Sequence, residues 1–238
     1  MSDYGKPVHE NIQYCVRCCM PETSEGINFD EAGICRGCRS SEDKMHINWV
    51  KRDNKLREIL DQFRGKNIDN YDCVIPISGG KDSAFQLHTL VKVYKMNPLA
   101  VTFSHNWYSK TGKYNLDNIL ERLNVDHLMF TPNRKLVNKI AKQSLYAIGD
   151  SCWNCHAGIG AFPLKAAMMM NIPLMIWGES ICEAGNKAAY GDNNYGTVKF
   201  DQDYYLKVST KVAPEKMICD EITRNDLIPY LIPPKDEV

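Results

Sequence analysis

Hydrophobic residues recur at regular intervals along most of the chain beyond about residue 45. Four of them, three or four positions apart, predict an amphipathic helix over 48–64: Leu56, Ile59, Leu60 and Phe63. Short apolar runs predict four buried strands, at 73–77, 99–103, 127–130 and 173–177. Stripes of helical spacing separate these strands, and their first apolar residues are Leu87, Leu116, Leu136 and Ala157. The pattern weakens after about residue 190, and we expect the proline-containing end not to pack as the end of a domain.

This alternation of strands and helices is typical of βαβ units. It predicts an α/β fold whose sheet is doubly wound, mostly parallel and covered by helices on both faces. In such sheets ligands bind at the carboxyl ends of the strands. Before about residue 45 the chain consists mainly of cysteines, glycines and turn residues. We therefore predict a small module at 1–45 and the sheet domain at 46–238.

Two cysteine pairs in the N-terminal segment have the spacing of zinc knuckles. They are Cys15 with Cys18 and Cys35 with Cys38, and two residues separate the members of each pair. Four thiolates in this pattern form a closed tetrahedral Zn²⁺ site. Because no coordination position stays open, the zinc is predicted to be structural, in a zinc-ribbon-like module with little core of its own. Cys19 is interpreted as a bystander.

Charge and composition restrict the class of protein. The chain carries 29 basic and 29 acidic residues, so its formal net charge is zero, whereas nucleic-acid-binding domains usually have a basic excess. No apolar segment approaches the roughly 18 residues that a membrane-spanning helix needs, and no signal peptide is visible. Ten cysteines in this context favour metal ligands or reduced thiols. We expect a cytoplasmic protein without a membrane or nucleic-acid partner.

A glycine-containing loop follows the first predicted strand of the sheet domain. It consists of Ser78, Gly79, Gly80, Lys81, Asp82 and Ser83. The two glycines allow a ligand to approach the backbone closely, and the start of the next helix offers unpaired amides to an anion. Two hydroxyls, an ammonium group and a carboxylate complete a site suited to phosphate oxygens and Mg²⁺. The pattern is neither a Walker A loop nor a dinucleotide-binding glycine motif.

This loop resembles the SGGxDS signature of the PP-loop ATP pyrophosphatases, in which the loop holds the departing pyrophosphate. The resemblance implies an adenine-nucleotide α-hydrolase-like fold and an enzyme that cleaves ATP between its α- and β-phosphates. Such enzymes adenylate a carbonyl or carboxyl oxygen of the substrate, and a nucleophile then displaces AMP. The loop would stabilise the charge that develops on pyrophosphate.

A narrower resemblance covers nearly the whole chain. The segments 14–23 and 29–38 look like the zinc module of the N-acetyl sugar amidotransferases, and so does the segment 71–77 that leads into the loop. Further matching segments are Val101-Thr102-Phe103, Asn115-Leu116, Cys152-Trp153-x-Cys155-His156 and Ile172-Pro173-Leu174-x-Ile176-Trp177-Gly178-Glu179. Their combination is far more specific than the loop alone.

Resemblance to the N-acetyl sugar amidotransferases implies an ATP-dependent ligase in bacterial surface-glycan (lipopolysaccharide) biosynthesis. It would convert the N-acetyl group of a nucleotide sugar to an acetamidino group. A partner glutaminase subunit would supply the ammonia, since the chain shows no glutaminase signature of its own. The implied cofactors are ATP, Mg²⁺ and Zn²⁺. Members of this family usually continue further, so we expect the chain to lack a C-terminal part, with some substrate or partner contacts.

Other candidate site residues lie where predicted strands end. Phe103 and Ser104 end the second strand and are expected to contact adenine or ribose, mainly through their backbone. Gly178 and Glu179 end the fourth strand on the same edge, where Gly178 is expected to contact ATP. Glu179 would orient the adenylate, bind Mg²⁺ or guide ammonia; the alternative is a solvated loop carboxylate. The predicted catalytic residues are Lys81, Asp82 and Glu179.

Cys152 and Cys155 form another pair, at the start of a predicted helix, where thiol pKa values fall. The pair is interpreted as a redox pair, as part of a second metal site, or as small residues that pack beside the ATP site. PP-loop thiolases that modify tRNA carry a comparable pair and a distant third cysteine, which together bind an iron–sulfur cluster. Cys219 or Cys182 is the candidate third ligand here. A tRNA thiolase with zinc and an iron–sulfur cluster is therefore the alternative function.

Overall fold

The computed structural model of the chain describes residues 11–24, 27–178 and 210–233. These residues fall into two compact units, one up to Asp53 and the other from Asn54 to Gly178 together with 210–233. The first unit contains helix α1 (Arg36–Asp43) and a 3₁₀ turn (Lys44–His46). Helix α2 (Trp49–Leu60) begins in the first unit and ends in the second.

A three-stranded parallel sheet forms the centre of the second unit. Its strands are adjacent in the order β1 (Cys73–Pro76), β2 (Pro98–Phe103) and β3 (His127–Phe130). Four helices follow the strands in the chain: α3 (Lys81–His88), α4 (Lys110–Leu123), α5 (Arg134–Ile148) and α6 (Trp153–Met169). The predicted α/β class with a parallel sheet is therefore confirmed. None of the described helices has the length and apolar character to cross a membrane.

The predicted fourth strand is present only as a short pairing along the other edge of β1. The Val74 amide donates to the Leu174 carbonyl at 2.8 Å, and the Ile176 amide donates to the Val74 carbonyl at 3.0 Å. In a parallel ladder the next donor would be the amide of residue 76, which is a proline and has no N–H. The side-chain amide of Gln86 donates to the Ile176 carbonyl instead, at 2.7 Å.

The chain winds in two directions around this sheet. Helices α3 and α4 cover one face, where Leu87 and Leu116 pack in a cluster with Ile75. Helices α5 and α6 cover the other face, where Ile140 and Phe162 pack in a cluster with strand residues such as Val101. After β3 the chain therefore returns over the second face to the far side of β1. The direction of winding reverses between β1 and 174–176, which is the topological switch point of a doubly wound sheet.

Small residues bring α6 close to the sheet. Ala157 and Ala161 are completely buried, and Gly158 lies between them on the same face. A Cβ atom on Gly158 would lie only 2.1 Å from the Cε1 atom of Phe103. Only a residue without a side chain therefore permits this contact between the helix and the end of β2.

Our expectation for the end of the chain is wrong for residues 210–233. Two short 3₁₀ segments (Pro214–Met217 and Asn225–Tyr230) pack on the same face as α5 and α6. They bury Met217, Leu227 and Tyr230. A 3₁₀ turn of this length is too short to show hydrophobic periodicity, which explains why the sequence pattern did not indicate packed structure.

Two hydrogen bonds link β3, β2 and the residue that follows β1, just before the glycine loop. The Thr102 hydroxyl donates to the Ile77 carbonyl at 2.6 Å, and Nε2 of His127 lies 2.8 Å from the same hydroxyl oxygen. Because the Thr102 proton is directed at Ile77, His127 must donate through Nε2. Burial lowers the pKa of His127, and Lys113 lowers it further although Asp117 opposes this effect. A neutral histidine thus supports, through Thr102, the residue just before the loop.

Replacing Thr102 by valine should reduce the free energy of unfolding by about 1–3 kcal/mol, because the buried Ile77 carbonyl and the half-buried His127 ring would lose their partner. Thr102→Ser retains the hydroxyl and should recover most of this loss. Urea denaturation followed by circular dichroism, at fixed zinc concentration, measures both variants. Equal midpoints for the valine and serine variants would show that the connection does not stabilise the sheet.

Candidate functional site

The four cysteines predicted to bind zinc lie together in the first unit. All four sulfur atoms are within 4.8 Å of one another. The Cys15 and Cys38 sulfurs are 3.9 Å apart, and the Cys18 and Cys35 sulfurs 3.6 Å apart. A tetrahedron with zinc–sulfur bonds of about 2.3 Å separates its sulfurs by about 3.8 Å. The group therefore fits Zn²⁺, and the described residues contain no other cluster of three or more potential metal ligands.

Backbone amides hold the sulfur atoms of this tetrad in place. Cys35 precedes α1 as its N-cap, and its sulfur accepts from the Cys38 amide at 3.4 Å. The Cys15 sulfur accepts from the amides of Arg17 and Cys35, at 3.5 and 3.2 Å. Local turns therefore position the sulfurs within each pair, which explains why the spacing predicted the two pairs, and the Cys35 amide connects one pair to the other.

The electrostatics of the tetrad also favour a cation. Burial raises the pKa of Cys15, but the amides of Cys18, Cys35 and Arg17 outweigh it and lower this pKa to about 6. Burial and the neighbouring thiols raise the pKa of Cys38 to about 12. Adjacent thiols cannot all ionise near neutral pH, because each thiolate disfavours the next. A Zn²⁺ ion would supply the compensating charge.

In the second unit, the Ser-Gly-Gly-Lys-Asp-Ser loop joins β1 to α3 at the switch point of the sheet. Gly79 has a φ angle of +80°, which side-chain-bearing residues rarely adopt. A Cβ atom on Gly79 would also lie 2.9 Å from the Gly112 carbonyl oxygen and 3.0 Å from the Cβ atom of Leu116, both in α4. Backbone conformation and lack of space therefore both require glycine at this position.

Two serines close the loop through hydrogen bonds. The Ser78 amide donates to the Ser83 hydroxyl oxygen at 3.2 Å, and the Ser83 hydroxyl donates to the Gly80 carbonyl at 3.1 Å. The Gly80 amide donates to the Ser78 hydroxyl oxygen at 3.3 Å. These hydrogen bonds hold the loop as a compact turn, and it presents the first amides of α3, which have no partners within the helix. This arrangement suits an anion such as a phosphate.

Lys81 and Asp82 follow the glycines on the exposed side of the loop. The Lys81 ammonium group lies 2.6 Å from Oδ2 of Asp82. Both side chains are mostly exposed to solvent, so this ion pair contributes little to stability. Its two groups can therefore rearrange around a phosphate and a divalent cation at small cost.

Gly178 lies beside α3 at the other side of the switch point. A Cβ atom on Gly178 would be 2.4 Å from Oε1 of Gln86, the residue whose amide bonds to Ile176. Sequence analysis did not identify Gln86, although the missing donor of Pro76 was a signal that some other group must pair with Ile176. Glu179 and Cys182 lie outside the described residues.

Phe103 and Ser104 lie at the carboxyl end of β2, as expected. The Phe103 ring is part of the core, with its centroid 5.8 Å from that of Phe130 and 5.6 Å from that of Tyr230. The Ser104 amide donates to the Phe130 carbonyl at 2.8 Å. The Phe103 ring and the Ser104 amide are thus engaged within the protein, so a nucleotide here would meet other backbone atoms.

The loop after β2 carries a stacked pair of rings. The His105 and Tyr108 rings have centroids 4.4 Å apart and are inclined by 28°. Nδ1 of His105 accepts from the Trp107 amide at 3.0 Å, and burial lowers the pKa of His105. Burial raises the pKa of Tyr108, and a negative charge on Cys155 would raise it further. The pair therefore forms a neutral aromatic surface in the loop after β2.

The structure does not bring Cys152, Cys155 and Cys219 together as a group of three metal ligands within the part of the chain that it describes. Cys152 is exposed and precedes α6, whereas Cys219 pairs with Ile222 in a short bridge. Burial raises the pKa of Cys155 to about 11, and Cys152 adds to the shift. The expected fall in pKa is therefore wrong for Cys155, because desolvation outweighs the helix start. The second metal site stays a prediction.

Comparison with known proteins gives distant relatives only. No family model matches the chain. An uncharacterized protein of Methanocaldococcus jannaschii is 31% identical over 105 residues, which cover 44% of this chain and 37% of the relative. A second uncharacterized protein of the same organism is 23% identical over 177 residues, which cover 71% of this chain and 58% of the relative. The chain thus spans 37% and 58% of the lengths of these curated relatives, and neither name assigns a function.

Replacing Cys18 by serine should remove most of the bound zinc, because a tetrahedral site loses one of its four ligands. The matched control is Cys19→Ser, since Cys19 is equally exposed and adjacent but lies outside the tetrad. Elemental analysis by mass spectrometry should find about one zinc per chain in the parent and the control. Full zinc content in Cys18→Ser would contradict the proposed ligand set.

Proposed function

We propose that this chain is a PP-loop ATP-dependent amidotransferase, a ligase that splits ATP into AMP and pyrophosphate. It would use the adenylate to replace the carbonyl oxygen of an N-acetyl group on a nucleotide sugar with ammonia. The observation that carries this proposal is the hydrogen-bonded loop of residues 78–83 at the switch point of a doubly wound parallel sheet. Open parallel sheets bind their ligands at this position.

The chemistry of the loop is suited to a pyrophosphate leaving group. The first amides of α3 and the Ser78 hydroxyl are donors for phosphate oxygens. The Lys81 ammonium group adds a positive charge, and Asp82 would hold Mg²⁺, which neutralises charge on the phosphates when it is bound. Donors fixed before the reaction stabilise a leaving group whose negative charge grows in the transition state. The loop would therefore favour cleavage between the α- and β-phosphates.

Two displacements complete the proposed reaction. The carbonyl oxygen of the acetamido group attacks the α-phosphorus, and the bond between this phosphorus and the bridging oxygen breaks as pyrophosphate leaves. Ammonia then adds to the activated carbon and gives up a proton. AMP leaves with the former carbonyl oxygen, and an acetamidino group remains. Adenylation is necessary because an amide oxygen is otherwise a very poor leaving group.

The proposal also includes the sugar substrate, the source of the ammonia and the cellular location of the reaction. Their support is the sequence resemblance to the N-acetyl sugar amidotransferases, which implies a glutaminase partner and a product for surface glycan. ATP and nucleotide sugars are cytoplasmic metabolites, so we place the reaction in the cytoplasm. The cysteine tetrad would have a structural role, since four protein ligands leave zinc no position for a substrate.

Replacing Gly79 by alanine should reduce pyrophosphate release about 100-fold or more, because the loop could no longer hold its donors against the phosphates. The matched control is Gly149→Ala, since Gly149 has a similar φ angle of +72° but no atom within 4 Å of a Cβ at that position. Both variants have the same kind of backbone strain, and only Gly79→Ala collides with α4. The assay follows pyrophosphate with ATP, a UDP-N-acetyl sugar and ammonium chloride.

The products of this assay, and their dependence on the sugar and ammonium, distinguish the candidate functions. Pyrophosphate release that requires the sugar and ammonium supports the amidotransferase. Release of phosphate and ADP would contradict the proposed role of the loop. A visible iron–sulfur absorption band after anaerobic purification, together with no dependence on the sugar, would favour the tRNA thiolase.

A further inference from the structure

Asn154 is a polar residue on the face of α6 that packs against the sheet. It lies three, four and seven positions before Ala157, Gly158 and Ala161, so all four residues share one side of the helix. All four are buried, and Asn154 has 0% exposed surface. It is therefore the one hydrogen-bonding side chain in an otherwise apolar stripe.

The Asn154 amide has no hydrogen-bond partner for Oδ1 or for Nδ2 among the described residues. Buried side-chain amides are normally paired, because an unpaired polar group is costly in a medium of low dielectric constant. Its neighbours on the stripe are alanine and glycine, which have no hydrogen-bonding side chains. A ligand that binds here would supply the missing partner.

The position of Asn154 indicates which partner it would meet. Asn70, which precedes β1, donates to the Met170 carbonyl at 2.7 Å, so α6 ends beside the amino ends of the strands. Helix α6 therefore starts at their carboxyl ends, where Gly158 touches the ring of Phe103, the last residue of β2. Asn154 lies one turn nearer the start of the helix. It is thus placed beyond the end of β2, on the edge that carries the glycine loop.

The chemistry of a carboxamide restricts the class of ligand. Asparagine offers an acceptor oxygen and donor hydrogens side by side. Adenine presents an amino donor next to a ring-nitrogen acceptor, and asparagine pairs with both at once. Guanine presents two acceptors at the same edge, and one of them would face Oδ1 of Asn154. A phosphate offers acceptors only and would leave Oδ1 unpaired.

We propose that Asn154 determines nucleotide specificity by pairing with the amino group and the adjacent ring nitrogen of adenine. This inference rests on the proposed use of ATP, and it adds that the base is selected by a side chain of α6. The stacked rings of His105 and Tyr108 follow β2 on the same edge and offer a flat surface for the base.

Isothermal titration of the full chain with ATP, GTP and pyrophosphate, each separately, tests the proposal. The parent should bind ATP at least about tenfold more tightly than GTP, and Asn154→Ala and Asn154→Leu should each reduce ATP affinity about 10- to 100-fold. Binding of GTP and pyrophosphate should change little, because these ligands do not pair with the amide. The leucine variant keeps the side-chain volume, and the alanine variant matches the rest of the stripe.

Asn118→Ala on α4 is the matched control, since Asn118 makes its hydrogen bond to Arg122 on the surface; it should bind like the parent. A parent that binds ATP and GTP equally, or variants that keep the preference of the parent, would overturn the role of Asn154. Neither result would affect the proposed function. A parent that binds neither nucleotide nor pyrophosphate would refute the proposed function and, with it, this inference.

Discussion

The sheet domain depends on the pairing of β1 along both of its edges. One edge pairs with β2 over the full length of β1, whereas the other pairs only through Val74. Pro76 ends this second pairing because it has no N–H to donate. Beyond that point β1 leads into the glycine loop, and the segment beside it leads to Gly178. The switch point of the sheet therefore lies where this ladder lacks a donor.

The positions of most elements followed from the sequence, because their packing produces clear periodicity. The strand predicted at 127–130 is β3, and the helix predicted over 48–64 contains α2. The fourth strand is shorter than predicted because Pro76 has no N–H with which to continue the pairing. The 3₁₀ segments between 214 and 230 were not predicted, because their stability comes from contacts with distant parts of the chain and not from a local repeat.

The two groups of candidate metal ligands also differ in whether local or distant contacts would bring them together. The knuckles around Cys15 and Cys35 are closed by local backbone hydrogen bonds, so spacing alone predicts their geometry. Cys155 and Cys219 are 64 positions apart, and no local rule brings such residues together. Asn154 illustrates a third case. The sequence shows its place in a stripe, but only the fold shows that the stripe ends at the carboxyl edge of the sheet.

The pairing of Gln86 with Ile176 has a consequence for the evolution of this chain. Gln86 compensates for the amide that Pro76 lacks, so the two residues, ten positions apart, form one functional unit in the sequence. A homologue with another residue at the position of Pro76 would have its own backbone donor for that carbonyl. Selection would then no longer maintain the glutamine, and the two positions should vary together across related sequences.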